Sequence, residues 1–449
     1  MRVSRHSGMR AWTYLADYAQ AQIPRYTSYP PANRFAADVG AGRARDALRA
    51  LPAQSTLSLY LHIPFCKKLC WYCGCHTSVP TIADPVQAYV DAVVAEIARV
   101  AGALSDTMRV TRIHFGGGSP DILSPKQVEQ IFTALFAYFR IDPSAEIAAE
   151  LDPRGITPEV VHAFAAGGLN RASLGVQVLD PGVQARINRI QPREVIDAAI
   201  DILRRAGVGT FNIDMMYGLP GQTRDHVVET ALYAATRNAD RVATFGYAHV
   251  PWMKRYQKSI STSDLPAGEE RFRQAEAAAN TLEQAGYAPI GFDHFAAPGD
   301  SLETAERTGR LRRNFQGYTD DDAAALIGFG ASAISSLPGL VYQNTTDTAI
   351  YREQVISDLP VVRGIAPSEA DIRAGRVIDN ILCNFEADIP GELLIAACPV
   401  LTPMIADGLA SLAGTRLTVT SRGRPYVRNI ASCFDGSFHL APARHSMAI

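Results

Sequence analysis

From residue 56 onward the chain alternates between two hydrophobic patterns. Short apolar, β-rich runs end in turn residues and give way to stretches of helical periodicity. The strand-like runs cover residues 57–63, 110–115, 146–151, 171–177, 210–216 and 241–249. Helix starts between them carry clear chemistry. Asp84-Pro85-Val86-Gln87 and Ser124-Pro125-Lys126-Gln127 each offer a capping side chain, a proline in the first turn and a glutamine three residues past the cap. Thr157-Pro158-Glu159 opens a helix the same way without the final glutamine. Repeated strand–helix units predict an α/β fold on a parallel sheet, and six in succession predict a full or partial (β/α) barrel.

The alternation fades after about residue 300. The Gly/Ala/Ser-rich stretch 327–336 predicts close backbone approach to a ligand or another strand. Past Pro360 the pattern turns helical over 368–385 and 392–412, with a short strand at 416–420 and a last helix near 423–434. Three parts are expected: an N-terminal arm over residues 1–52, a catalytic barrel over 53–360, and a small, mostly helical C-terminal domain over 361–449. On physical grounds alone, the aromatic, proline-flanked run Pro24-Arg25-Tyr26-Thr27-Ser28-Tyr29-Pro30-Pro31 reads as a surface arm.

Composition narrows the class. The 449 residues are 47% hydrophobic and 20% charged, with a net charge of −2. No basic block gives an electrostatic footprint for nucleic acid. Met1 to His6 lack the apolar core of a signal peptide, and the apolar stretch from Leu393 to Leu401 is too short to span a bilayer. Seven cysteines, four of them clustered, do not read as a disulfide framework, so a reducing cytoplasm is the expected compartment.

The cluster is the chemistry. Cys66, Cys70, Cys73 and Cys75 fall within ten residues. The first three follow C-x-x-x-C-x-x-C, a spacing that lets one loop wrap three thiolates around three corners of a cubane iron–sulfur cluster. Cys75 follows Cys73 too closely to reach the far corner, which leaves one iron open for ligand activation. Zinc favours paired C-x-x-C knuckles far apart, and the chain has no second knuckle. Cys383, Cys398 and Cys433 read as buried small hydrophobes. In a barrel of this kind the strands' carboxyl ends carry the active site. There the sequence places Gly116-Gly117-Gly118-Ser119, Glu150, Gln177, Asp214 and Tyr247-Ala248-His249.

C-x-x-x-C-x-Tyr-C resembles the radical S-adenosylmethionine (SAM) enzymes. A finer resemblance, nearly end to end, is to the oxygen-independent coproporphyrinogen III dehydrogenases of haem biosynthesis. It rests on the Pro24–Pro30 run, on residues 58–66, on Cys73-Gly74-Cys75, on Asn212-Ile213-Asp214 with Tyr217-Gly218-Leu219-Pro220, and on Tyr247-Ala248-His249. Further along, it rests on Asp293-His294-Phe295-Ala296, on residues 313–319, on Cys383-Asn384-Phe385 and on Arg428-Asn429-Ile430. The resemblance implies that the arm folds over the active site, replacing the surface-arm reading. It implies oxidative decarboxylation of two propionates of coproporphyrinogen III to vinyl groups, giving protoporphyrinogen IX, with a [4Fe–4S] cluster on Cys66, Cys70 and Cys73. Two SAM molecules are implied: one at Tyr60, Gly117, Glu150 and Ile334, the other at Tyr72, Gly118, Ser119, Gln177, Arg189, Asp214 and Ala248. Cys75 carries a catalytic role as the second cysteine of the subgroup's C-x-C. An electron donor such as flavodoxin or ferredoxin and a monomeric state are also implied.

Gly-Gly-Gly-Ser stands where the family has Gly-Gly-Gly-Thr, and Gly246 where it has Asn. Radical SAM methyltransferases or cyclopropanases and a haem chaperone share the scaffold and stand as alternatives. The chaperone group lacks the C-x-C and the arm that this chain has. Four propionates require cations, and arginine suits carboxylates best, which nominates Arg25 and Arg313 as substrate ligands.

Overall fold

The computed structural model describes residues 11–27, 29–80, 84–436, 438, 447 and 449. The Met1–His6 segment and the side chain of Asp84 lie outside the described residues. Six parallel strands form the centre: β1 (Thr56–Ile63), β2 (Arg109–Gly117), β3 (Arg140–Leu151), β4 (Arg171–Gln177), β5 (Thr210–Tyr217) and β6 (Arg241–Gly246). They neighbour one another in chain order. β1 is buried along almost its whole length, the property of a strand covered on both faces. β3 begins six residues before the expected run, because Arg140 and Ile141 pair with Arg109 and Val110 of β2.

Helices over Asp84–Ala101, Pro125–Tyr138, Pro158–Ala166, Arg193–Arg205 and Arg224–Thr236 return the chain between strands. Ser124 and Gln127 form a reciprocal capping box, and the Thr157 hydroxyl accepts the Val160 N–H, as their spacing predicts.

Beyond β6 the chain forms β7 (Ala288–Ile290), β8 (His294–Ala296) and a hairpin of β9 (Arg312–Asn314) and β10 (Gly317–Thr319). Three more strands follow in β11 (Ala325–Phe329), β12 (Ile334–Leu337) and β13 (Leu340–Asn344), then β14 (Val361–Ile365). Among the described residues the sheet has twelve strands, with β14 and β7 at its two edges. It is an open, partial barrel. β11 lies parallel to β1, so the Gly/Ala/Ser-rich stretch does approach another strand. These late strands are short, which is why no alternation betrays them. β14 extends the sheet past residue 360.

The last segment holds helices Glu369–Asn384, Gly391–Ala406 and Val427–Ser432. A three-stranded antiparallel sheet, β15 (Glu386–Asp388), β16 (Ala410–Ala413) and β17 (Arg416–Val419), packs with them. Cys383 and Cys433 are buried as read from the sequence; Cys398 is exposed on its helix instead. Ile23 and Tyr26 of the arm are buried against Ile378, Leu382 and Val427 of this segment. Each such apolar side chain contributes roughly 1.5–3 kcal/mol when fully buried, enough to fix the arm in place. Among the described residues, no helix is long and apolar enough to cross a membrane.

Candidate active site

The four clustered cysteines occupy the loop between β1 and the Asp84–Ala101 helix. Backbone bonds fix its base: Cys66 N–H donates to Ser78 O and Ser78 N–H to Pro64 O, both at 2.9 Å. Its far side is held by a neighbouring segment. Lys254 Nζ donates to Cys75 O at 2.8 Å, Tyr256 Oη to Cys73 O at 2.9 Å, and Gln257 Nε2 to Tyr72 O at 3.1 Å. No described cysteine forms a disulfide.

The donor set suits an iron–sulfur cluster. Arg154 and Arg189 each place an Nη atom 3.3 Å from Cys70 Sγ, where a guanidinium offsets thiolate charge. Arg154 Nη1 and Arg189 Nε are buried without a partner, donors still available to an anionic group. Cys66 Sγ lies 3.1 Å from the Thr77 hydroxyl, and burial pushes its thiol up to about 12. The Cys75 thiol hydrogen-bonds to Cys73 and holds that sulfur down at about 7, while Cys75 itself is pushed up. Cys66, Cys70 and Cys73 would hold the cluster.

A cavity of about 640 Å³ adjoins this loop. Tyr72, Cys75, Glu150, Gln177, Asp214 and Ala248 line it, delivered by the loop and by strand ends as predicted. His114 Nε2 lies 3.0 Å from Glu150 Oε1. Burial opposes the Glu150 charge, but His114 and the Gly117 N–H outweigh it, and its carboxyl sits below the ordinary value. Burial and then the charge of Glu150 raise Asp214 to about 6, against a 3.1 Å hydrogen bond from Ser173. One cavity thus pairs a carboxyl held below its ordinary value with one raised to about 6. That pairing suits an ammonium and hydroxyl ligand. Gln177 adopts φ 67°, a strained turn that places it at the end of β4.

The other nominated residues stand behind this lining. Gly117 has φ 110°, and a Cβ there would meet the His62 ring at 2.7 Å. A Cβ on Gly118 would meet the Phe65 carbonyl oxygen at 2.4 Å, so these glycines let β2 press against the cluster loop. The buried Ser119 hydroxyl bonds Asp121 and accepts the Asp152 N–H. Arg189 is buried between Cys70, Asp152 and the Gly175 carbonyl, not on a solvated helix. Tyr60 is buried in β1 with its hydroxyl 3.1 Å from His62 Nδ1, and its ring meets His114 and Phe315. Ile334 opens β12, its carbonyl close over Gly328.

A second cavity, of about 780 Å³, adjoins the first; Arg25, Cys75, Phe245 and Gln316 line both. Arg25 and Arg313 line this cavity together, and so do Arg271 and Arg428, which the sequence did not single out. Asp293 faces them, 3.7 Å from Arg313 Nη2. The His294 and Arg313 charges overcome its burial and hold its carboxyl down at about 2.

Comparison with known proteins follows the same lines. Residues 60–234 match the radical SAM superfamily model. The chain is 43% identical over 445 residues to the oxygen-independent coproporphyrinogen III oxidase of Bradyrhizobium diazoefficiens, covering 96% of this chain and 98% of the relative. The chain belongs to the oxygen-independent coproporphyrinogen III oxidase family. A second family member, from Paracoccus denitrificans, is 40% identical over 96% of this chain and 97% of its own. The solved coproporphyrinogen III oxidase of Escherichia coli, described as a radical SAM enzyme, superposes with a TM-score of 0.87. It is 36% identical and covers 93% of this chain and all of its own.

Proposed function

We infer that this enzyme converts coproporphyrinogen III to protoporphyrinogen IX without oxygen, in haem biosynthesis, by oxidative decarboxylation of two propionates to vinyl groups. The observation that carries this reading is the place of Cys75: it closes the cluster loop and lines both the carboxylate-bearing cavity and the arginine-bearing one. When bound by Cys66, Cys70 and Cys73, the [4Fe–4S] cluster and SAM would supply the radical chemistry for hydrogen-atom abstraction at the propionate β-carbon, and loss of CO₂ would require a one-electron acceptor.

The chain's residues position and shield this chemistry. Cys66, Cys70 and Cys73 hold the cluster, and Arg154 and Arg189 balance its charge. Glu150 would pair with the ammonium of the first SAM beside Tyr60, Gly117 and Ile334. Tyr72, Gln177, Asp214 and Ala248 would take the second, with the ionised Asp214 accepting from ribose hydroxyls. Gly118, Ser119 and Arg189 support that second site by fixing the loop and Asp152. Cys75 stands between the two cavities and is assigned to the reacting substrate. Arg25 and Arg313 are assigned to substrate carboxylates. With an arm to residue 52, a barrel that runs past 360 to include β14, and a C-terminal domain after it, Arg25 and Arg313 fall on different parts. A flavodoxin or ferredoxin donor, a monomeric state and a cytoplasmic location complete the reading; exposed Lys67 and Lys68 beside the cluster loop fit an acidic donor.

The test is coproporphyrinogen III deuterated at the propionate β-carbons. The reading predicts deuterium in the 5′-deoxyadenosine formed. Unlabelled 5′-deoxyadenosine together with a product that has gained carbon would overturn it in favour of methyl transfer.

A further inference from the structure

We propose that Arg25, Arg271, Arg313 and Arg428 form a polycarboxylate site that holds the propionates of the macrocycle while one of them reaches the cofactor chamber. This rests on the function inferred above and adds Arg271 and Arg428 to it. The cavity is lined by six arginines and two carboxylates, Asp293 and Glu283. Among the described residues, no side-chain carboxylate forms an ion pair with Arg25 or Arg271, though the charge of Asp293 acts on Arg25. Arg25 donates to Gly246 O at 2.7 Å, and Arg271 Nε donates to Ile449 O at 2.6 Å. Arg313 is almost completely buried, yet its Nη1 has no partner. Arg25 reaches the surface while Arg271 and Arg428 are buried, and six arginines facing two side-chain carboxylates leave the cavity positive, a charge that a binding anion offsets. Burial lowers Arg271 to about 10, and burial and then the charge of Arg25 lower Arg428 to about 9.

The site is built, not incidental. The Arg271 guanidinium lies over the Tyr217 ring at 5.4 Å and fits where two glycines leave room. A Cβ on Gly218 would stand 2.4 Å from its Nη1, and one on Gly246 would stand 2.6 Å from its Nη2. Gly246 is the position where the family pattern has Asn, so in this chain the missing side chain makes space for an arginine. Arg313 stacks between Phe292 and Tyr318 at 4.7 and 4.5 Å, which fixes its fork. The arm takes part as well. Arg428 donates to Ile23 O and Pro24 O, and Arg313 to Tyr26 O, which carries Arg25 over the cavity. Planar guanidinium forks held this way suit bidentate carboxylates, and about 780 Å³ lies within the usual range for a small-molecule pocket.

The test uses reconstituted holoenzyme and coproporphyrin III, a tetracarboxylate already oxidised and unable to react, followed by absorbance titration. Its tetramethyl ester is the neutral control. The proposal predicts tight binding of the acid and weak binding of the ester. It also predicts at least about tenfold weaker acid binding in Arg271→Gln and Arg25→Gln. Gly246→Ala keeps every charge but intrudes on Arg271, and is expected to weaken acid binding as well. Bound iron and the thermal transition show whether each variant is folded, and Arg25→Gln, on the arm, carries the test if Arg271→Gln is not. Equal affinity for acid and ester, or wild-type affinity in the folded variants, overturns the site. If the arginine effects are present but no vinyl product forms, the site stands and the decarboxylase reading falls.

Discussion

The Arg189 guanidinium stands 3.3 Å from the Cys70 sulfur and 3.1 Å from the Asp152 carboxylate. One buried cation therefore ties a cluster cysteine to the end of β3. Replacing Arg189 by Met leaves Asp152 with Arg154 alone and removes positive charge beside a thiolate. The expected loss of stability is about 3 kcal/mol, the scale of a broken buried ion pair. The cluster's reduction potential is expected to fall, because the more negative reduced state loses a compensating charge. Denaturation and redox titration of reconstituted protein check both; two unchanged values would contradict the role given to Arg189.

The cysteines divide three to one. Cys66→Ser, Cys70→Ser and Cys73→Ser are each expected to abolish bound iron and SAM cleavage. Cys75→Ser is expected to keep the cluster and lose turnover. Iron analysis and low-temperature EPR measure this. Equal iron loss in all four would contradict a three-cysteine site.

Gly117→Ala places a methyl group 2.7 Å from the His62 ring at a backbone φ of 110°. The strain alone costs on the order of 1–3 kcal/mol, and His62 must also move, breaking its 3.1 Å contacts with Tyr60 and the His76 carbonyl. A lowered thermal midpoint with impaired SAM cleavage is expected. A wild-type midpoint would show that the turn adapts.

Glu96 gives a pH signature away from the cofactors. It is buried and accepts hydrogen bonds from Gly330 N, Tyr351 Oη and Asn344 Nδ2 at 2.6–2.7 Å. Burial nevertheless raises its carboxyl from 4.5 to about 7. The folded state therefore holds a proton that the unfolded chain releases above pH 4.5. Stability from this group is full below that pH and is lost as pH rises toward 7. The lost contribution is on the order of 3 kcal/mol. Glu96→Gln is expected to flatten this dependence in unfolding titrations from pH 4.5 to 7. An unchanged slope would assign the dependence to other groups.

Much of the barrel was legible because fully buried strands leave unbroken apolar runs that end in turn residues. Glu150, Gln177 and Asp214 could be read because a strand end brings them to one face. Shorter pairings such as β11 with β12 left no period to detect. Arg271 was missed for a different reason. It sits among Glu269, Glu270, Arg273 and Glu276 on the Gly268–Gln284 helix, a pattern that reads as a solvated face. Its burial depends on Gly218 and Gly246, which only the folded chain brings to its guanidinium. The burial of Arg189 was not legible for the same reason: its partners Cys70 and Asp152 come from other βα units. Gly246 itself was legible as a departure from the family pattern, and the space it leaves for Arg271 gives that departure a physical meaning.

The most direct measurement is anaerobic turnover. Reconstituted enzyme is incubated with SAM, a low-potential reductant and coproporphyrinogen III, and the products are followed by mass spectrometry. The account predicts protoporphyrinogen IX, with two carboxyl groups released as CO₂ and 5′-deoxyadenosine formed alongside. An intact [4Fe–4S] cluster that cleaves SAM yet leaves all four propionates in place would contradict it.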